Sequence, residues 1–309
     1  MKNPKVTIIL ATYNRVHLIE EMLLSIQKQI FGDFECLVID DNSTDGTAQL
    51  LTTFCKLDNR FKYFKKPNYY VSGLSASRNF GLDHASGSFI VFCDDDDVIH
   101  PQHLETCLHV LNTTKVDFVH FQKQSFTAEV PHLKEIFVDK SNRKEINIKI
   151  IADVIFQKIA LASCTVIWKK DAIGNARFIL NLSYAEEWEF YTRLILNGAK
   201  GVQIDATLYF NRKHPNSKTG EFYSGNKNRM YSKIEASKLI ISNLNQKNLL
   251  SPELIHFFCW ESFRFRSPEL LEHLRQLSSL SSFQKSVVIL KYKLGPVTQF
   301  LMRLKKRFK

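Results

Sequence analysis

The chain has 309 residues, 44% of them hydrophobic and 24% charged, which allows a large buried core and excludes a disordered polymer. No stretch reaches the ~18 apolar residues of a membrane-spanning helix, and the opening MKNPKVTIIL does not have the form of a secretory signal. The formal charge of +11 is unevenly spread: eight basic and no acidic residues lie between Phe283 and Lys309, leaving +3 for everything before them.

Val6–Ala11 is a β-branched apolar run and predicts a buried strand. Leu18–Ile30 places Ile19, Leu23, Ile26 and Ile30 at helical spacing. Phe34–Ile39 predicts a second buried strand that stops at Asp40-Asp41, after which Asn42–Gly46 offers turn and capping chemistry for a helix to about Cys55. Phe61–Phe64 predicts a third strand, Gly73–Ala85 a helix stopped by Ser86-Gly87-Ser88, and Phe89–Cys93 a fourth strand. That fourth strand runs into Asp94-Asp95-Asp96-Asp97, and Pro101 suits the first turn of a helix to about Leu111. Past residue 115 the pattern is mixed, with strands at Asp117–Phe126, Thr165–Trp168 and Val202–Phe210 and a helix at Glu186–Leu196. From about Gly225 only helical signals remain. The six cysteines form no CxxC pair, which argues against zinc and fits a reducing, cytosolic compartment.

Strands alternating with helices predict an α/β fold with a doubly wound, mostly parallel sheet and a helical C-terminal extension. Such sheets bind ligands at the carboxyl ends of their strands. The rule selects Ala11-Thr12-Tyr13-Asn14-Arg15, Asp40-Asp41 and Asp94 to Asp97. Adjacent carboxylates repel and raise one another's pKa, so four in a row at such an edge call for a cation. Oxygen donors suit a hard divalent ion, Mg2+ or Mn2+, completed by substrate phosphates. No GxGxxG follows the first strand and no GxxxxGK[ST] occurs, which disfavours dinucleotide oxidoreductases and P-loop NTPases.

The segments VTIILATYNR, CLVIDDNSTDGT, SASRNFGLDHASGSFIVFCDDDD and YAEEWEFYTRL, in this order, resemble the family 2 glycosyltransferases of the GT-A fold. The resemblance runs from residue 6 to about 217. It implies a nucleotide-sugar-binding half at 1–100, an acceptor-binding half at 101–224 and a helical extension at 225–309. Thr12, Tyr13, Asn14 and Arg15 would contact the nucleotide, with Asp41 on the base edge and Arg78 nearby. Asp94-Asp95-Asp96 matches the family's DxD: Asp96 would ligate Mn2+ or Mg2+, and Asp94 or Asp95 would reach the ribose or assist the metal. Asp97 is expected to cap the next helix. Glu187 takes the position of the family's general base, one methylene longer than the usual aspartate. His214 would be a further metal ligand, and Arg212 and Lys213 would stabilise the leaving phosphates.

The expected activity is inverting transfer from a nucleotide-sugar, UDP-linked, to a hydroxyl of a glycan or lipid-linked glycan acceptor, as in lipopolysaccharide or capsule synthesis. Residues 285–309 mix basic and apolar side chains and predict attachment to an anionic surface, the cytoplasmic face of the inner membrane. Aromatic interleaving is too thin for nucleic acid. The competing readings are a sugar nucleotidyltransferase, which needs a Gly- and Arg-rich loop that Ala11–Arg15 lacks, and a non-catalytic sugar-nucleotide binder, which needs no base.

Overall fold

A computed structural model describes residues 4–138, 142–213, 218–277, 280 and 282–293. The chain divides into two compact units, Met1–Gly220 and Glu221–Lys309. Its strands are β1 (Val6–Thr12), β2 (Phe34–Asp40), β3 (Phe61–Lys65), β4 (Phe89–Asp94), β5 (Val98–Ile99), β6 (Phe118–Phe126), β7 (Lys144–Ile146), β8 (Val166–Lys169) and β9 (Gly201–Arg212). The helices of the first unit begin with α1 (Ile19–Gln27), α2 (Thr47–Leu57), α3 (Leu74–His84) and α4 (His103–Thr113). They continue with α5 (Ile151–Ile155), α6 (Lys170–Ile173) and α7 (Glu186–Leu196), and α8 (Lys218–Tyr223) follows.

All nine strands form one sheet, ordered β3-β2-β1-β4-β8-β6-β9-β5, with β7 beside β9. The first four run parallel, Val6 opposite Phe34 on one side and Phe89 on the other. β1 and β2 are buried at every position, as unbroken apolar runs covered on both faces must be. β3, the edge strand, buries only Phe61 and carries two exposed lysines, Lys62 and Lys65. Beyond β4 the sheet is mixed: β8 is antiparallel to β4 and β6, while β9 is parallel to β6 and antiparallel to β5 and β7. The expected α/β architecture is present, with its doubly wound parallel part confined to residues 6–94.

Gly87 closes the turn between α3 and β4. A Cβ there would lie 2.5 Å from the Thr7 backbone nitrogen, so only glycine lets the chain cross the start of β1 so closely. Five cysteines, Cys36, Cys93, Cys107, Cys164 and Cys259, are buried, and all six are free.

The second unit is helical: α9 (Lys227–Gln246), α10 (Pro252–Arg264), α11 (Pro268–Arg275) and α12 (Ser282–Lys293). The tetrapeptide Ser-Pro-Glu-Leu opens both α10 and α11. In each, the serine hydroxyl accepts from the leucine N–H three residues on, at 3.3 Å, and proline occupies the first turn, where its missing N–H costs nothing. Among the described residues no helix is long and apolar enough to cross a membrane. His214 and residues 294–309, and with them most of the basic tail, lie outside the described residues.

Candidate active site

The carboxyl ends of β1, β2 and β4 open into a cavity of about 420 Å3. One wall comes from the parallel half: Thr12, Tyr13, Arg15, Asp41, Arg78 and the four aspartates. The facing wall comes from the mixed half: Lys123 of β6, Ser163 and Cys164 before β8, Glu186 and Glu187 at the start of α7, and Asn211, Arg212 and Lys213 at the end of β9. Every described residue expected at the site lies on these walls except Asn14. Asn14 adopts a left-handed φ of 52°; its N–H donates to Ser43 Oγ at 2.8 Å and its side-chain carbonyl accepts from Thr44 N–H at 2.8 Å. It braces the turn after β2 against the end of β1.

Asp41 is held on both oxygens, by the Lys66 ammonium at 2.5 Å from Oδ1 and by the Gly73 N–H at 2.6 Å from Oδ2. Gly73 has a φ of 120°, a conformation that glycine alone adopts without strain, and this presents its amide to Asp41. Tyr13 is 56% exposed, an aromatic face at the mouth of the cavity.

Asp94 ends β4, and Asp95, Asp96 and Asp97 fill the tight connection to β5. Asp97 does not cap the following helix, which starts at His103 with Gln102 before it. Instead its carboxylate accepts the Arg212 N–H at 2.7 Å and the Tyr209 hydroxyl. The physical reason is β5: Val98 and Ile99 pair with Phe210 and Tyr209, which turns Asp97 toward β9. Burial, reinforced by Asp94 and Asp96, pushes the Asp97 carboxyl up to about 8. Burial likewise pushes Asp95 up to about 7, against hydrogen bonding from Thr12 and the Arg15 guanidinium, whose Nε is 3.5 Å from Asp95 Oδ1. Donor atoms of Asp94, Asp97 and Cys164 lie within 4.8 Å of one another. Burial raises the Cys164 thiol well above its ordinary range, so the carboxylates are the competent donors, and they suit a hard divalent cation.

Arg78 is not a solvated helix charge. Its side chain is 2% exposed, with Nη2 donating to Asp94 Oδ1 at 2.9 Å and to Ser163 Oγ at 2.8 Å and Nη1 3.4 Å from Glu186 Oε1. Burial opposes its charge, but Asp94, Glu186 and Glu187 outweigh that opposition and keep the guanidinium protonated. The two glutamates thus divide: Glu186 is buried against Arg78, and Glu187, half-buried, lines the cavity. Arg212 pairs with Glu21 and donates from Nε to the Asp96 carbonyl at 3.1 Å. Lys213 lines the cavity beside it, anchored by its N–H on the Phe126 carbonyl at 2.7 Å.

Two lysines escape the sequence reading, Lys123 on the cavity wall and Lys66 buried behind Asp41. Lys123, near Cys164, Asp94, Glu187 and Asp97, has its ammonium pKa raised; it lies in the polar half of β6, FVHFQKQSF, where no alternation marks it. Lys66 follows β3 with no pattern to mark it.

Residues 7–168, more than half of the chain, match the profile of glycosyl transferase family 2. A Campylobacter jejuni GalNAc(5)-diNAcBac-PP-undecaprenol beta-1,3-glucosyltransferase is 35% identical over 175 residues, 57% of this chain and 55% of the relative. An Escherichia coli UDP-Glc:alpha-D-GlcNAc-diphosphoundecaprenol beta-1,3-glucosyltransferase is 35% identical over 115 residues, 37% of this chain and 44% of the relative. The chain therefore spans about half the length of these curated relatives. Among solved structures, S. aureus TarS 1-349 in complex with UDP-GlcNAc superposes with a TM-score of 0.64 at 20% identity, covering 96% of this chain and 92% of that one. The mannosyltransferase PcManGT from Pyrobaculum calidifontis, in complex with GDP-Man and Mn2+, gives 0.59 at 16% identity, covering 97% and 88%. These two share the fold.

Proposed function

The chain belongs to glycosyl transferase family 2, and we propose that it moves a sugar from a UDP-linked donor to a hydroxyl of a lipid-linked surface glycan, with inversion. The observation that carries this reading is the division of the cavity. A cluster of carboxylates faces a separate glutamate, Glu187, across one space lined by Arg212, Lys213 and Lys123. A nucleotidyltransferase or a simple binder has no use for a second carboxylate, Glu187, on the wall opposite the acidic cluster. The lipid-linked acceptor rests on the names of the C. jejuni and E. coli relatives.

Glu187 removes the proton from the acceptor hydroxyl as its oxygen bonds to the anomeric carbon. The bond from that carbon to the diphosphate breaks on the opposite face, and the diphosphate leaves with the electron pair. Asp41 and Tyr13 hold the base, while Lys213 and Lys123 add positive charge beside the leaving phosphates. Asp94 and Asp97, with Asp96 adjacent, would hold a divalent cation, which would supply positive charge for the diphosphate. Glu187→Gln keeps the shape and removes the base. Transfer should fall by roughly 10²–10⁴-fold with UDP-sugar affinity retained in calorimetry. Undiminished transfer by this variant would remove Glu187 from the mechanism.

A further inference from the structure

Arg212 ends β9 on the cavity wall, with its side chain only 15% exposed. Its backbone N–H donates to the Asp97 carboxylate at 2.7 Å, and its Nε donates to the Asp96 carbonyl at 3.1 Å. Nη2 donates to Glu21 Oε2, and the guanidinium carbon lies 4.5 Å from the centre of the Phe126 ring. One residue thus grips two successive aspartates, from the strand that also pairs with β5. Its anchor, Glu21, belongs to α1, which Ile19, Met22, Leu23 and Ile26 fix to the core. Glu20 stands beside it in the same first turn, where the helix macrodipole favours either acid. Among the described residues, the acid that pairs with Arg212 is Glu21.

We propose that Glu21 is a positioning residue for the cation site: it holds the Arg212 guanidinium at the Asp96 carbonyl, so that the aspartates keep the spacing a divalent cation needs. The inference rests on the reading of the aspartate cluster as the cation site. Successive carboxylates repel, and an arginine released beside them would settle on one as a charge-assisted pair, in the place of the cation. Glu21 gives the guanidinium a carboxylate outside the cluster. Nε is then spent on a backbone carbonyl, a contact that steadies the chain without neutralising a side chain. Groups that orient metal ligands from behind typically change affinity by roughly 10–100-fold.

The test is Mn2+ titration of the full chain, alone and with UDP, read by the paramagnetic resonance of the free ion. Glu21 is 49% exposed, so Glu21→Gln should fold as the wild type does. It should weaken Mn2+ binding by roughly 10-fold or more. The Mn2+ concentration that half-activates transfer should rise in step, while kcat at saturating Mn2+ holds. Glu20→Gln removes the same charge from the same turn and should leave Mn2+ affinity unchanged. Glu21→Asp keeps the charge but falls one methylene short of Arg212, so it should weaken Mn2+ as well. In Arg212→Met, which has no guanidinium to misplace, Glu21→Gln should have no further effect; the Glu20 and Glu21 variants decide the matter if Arg212→Met does not fold by circular dichroism. Unchanged affinity in Glu21→Gln, equal weakening by Glu20→Gln, or full affinity in Glu21→Asp would reduce Glu21 to a surface charge and overturn the inference, with the cation site left standing. Failure of the wild type to bind Mn2+ in either condition would overturn the cation site and this inference together.

Discussion

The two edges of the parallel sheet treat a buried carboxylate in opposite ways. At the amino edge, Glu35 accepts from Thr7 Oγ1 at 2.7 Å, Ser86 N–H at 2.8 Å, Ser86 Oγ at 2.6 Å and Lys62 Nζ at 2.7 Å. Burial pushes its pKa up, but Lys62, Ser86 and Thr7 outweigh that and bring it down to about 2. At the carboxyl edge, burial drives Asp95 to about 7 and Asp97 to about 8. Depth is not what separates them, since all three residues are buried. The number of donors is. The amino edge is complete in itself, whereas the carboxyl edge has gathered negative charge that its own protons or a cation must balance.

The most severe test of this contrast is Asp97→Asn. Transfer should drop by on the order of 10²-fold or more, yet the metal-free protein should melt no lower than the wild type. The folded chain keeps on Asp97 a proton that the unfolded chain releases near pH 4, so wild-type stability should decline from there to about pH 8 and then level off. Asparagine has no proton to lose, so its relative advantage should widen with pH across that window. A marked drop in melting temperature at pH 8 would contradict the contrast.

Arg78→Met tests the join between the two walls. It leaves Asp94 and Glu186 without the cation that both contact, and urea titration should show a loss of about 3–5 kcal/mol. A loss below ~1 kcal/mol would mean that solvent or Lys123 replaces it.

The smallest effect is expected at the amino edge. Glu35→Gln should cost about 1–3 kcal/mol at neutral pH. The folded pKa lies below the ordinary 4.5, so the stability Glu35 lends is present above that pH and drains away as pH falls toward 2. Wild type and variant should therefore converge in acid. A pH-independent difference would point to packing as its source.

The parallel half was legible because its signals are local. β1, β2 and β4 are apolar runs ending in polar clusters, and those clusters define one wall. Glu187 was legible from its neighbours, Glu186 and Trp188. β5 was not: two residues give no run length, and their pairing depends on Tyr209 and Phe210, far away in the chain. The role of Asp97 was lost with it. Lys66 was missed because a lysine reads as solvent-facing, and only the fold that buries it beside Asp41 says otherwise; Lys123 is exposed, and only the pairing of β6 sets it on the cavity wall. Asn14 sat in the right loop, but its side chain closes a turn.

Arg78 spans from Asp94, at the end of β4, to Glu186, the neighbour of Glu187 on α7. The guanidinium is planar and stiff, so it acts as a ruler laid between the end of β4 and the start of α7, the two sides to which the proposed mechanism assigns the leaving diphosphate and the acceptor. The two carboxylates share one standard of length: a shift at either end is felt at the other. Changes at positions 94 and 186 should therefore be tolerated together and penalised singly, which makes the gap between the two walls a fixed dimension of the fold.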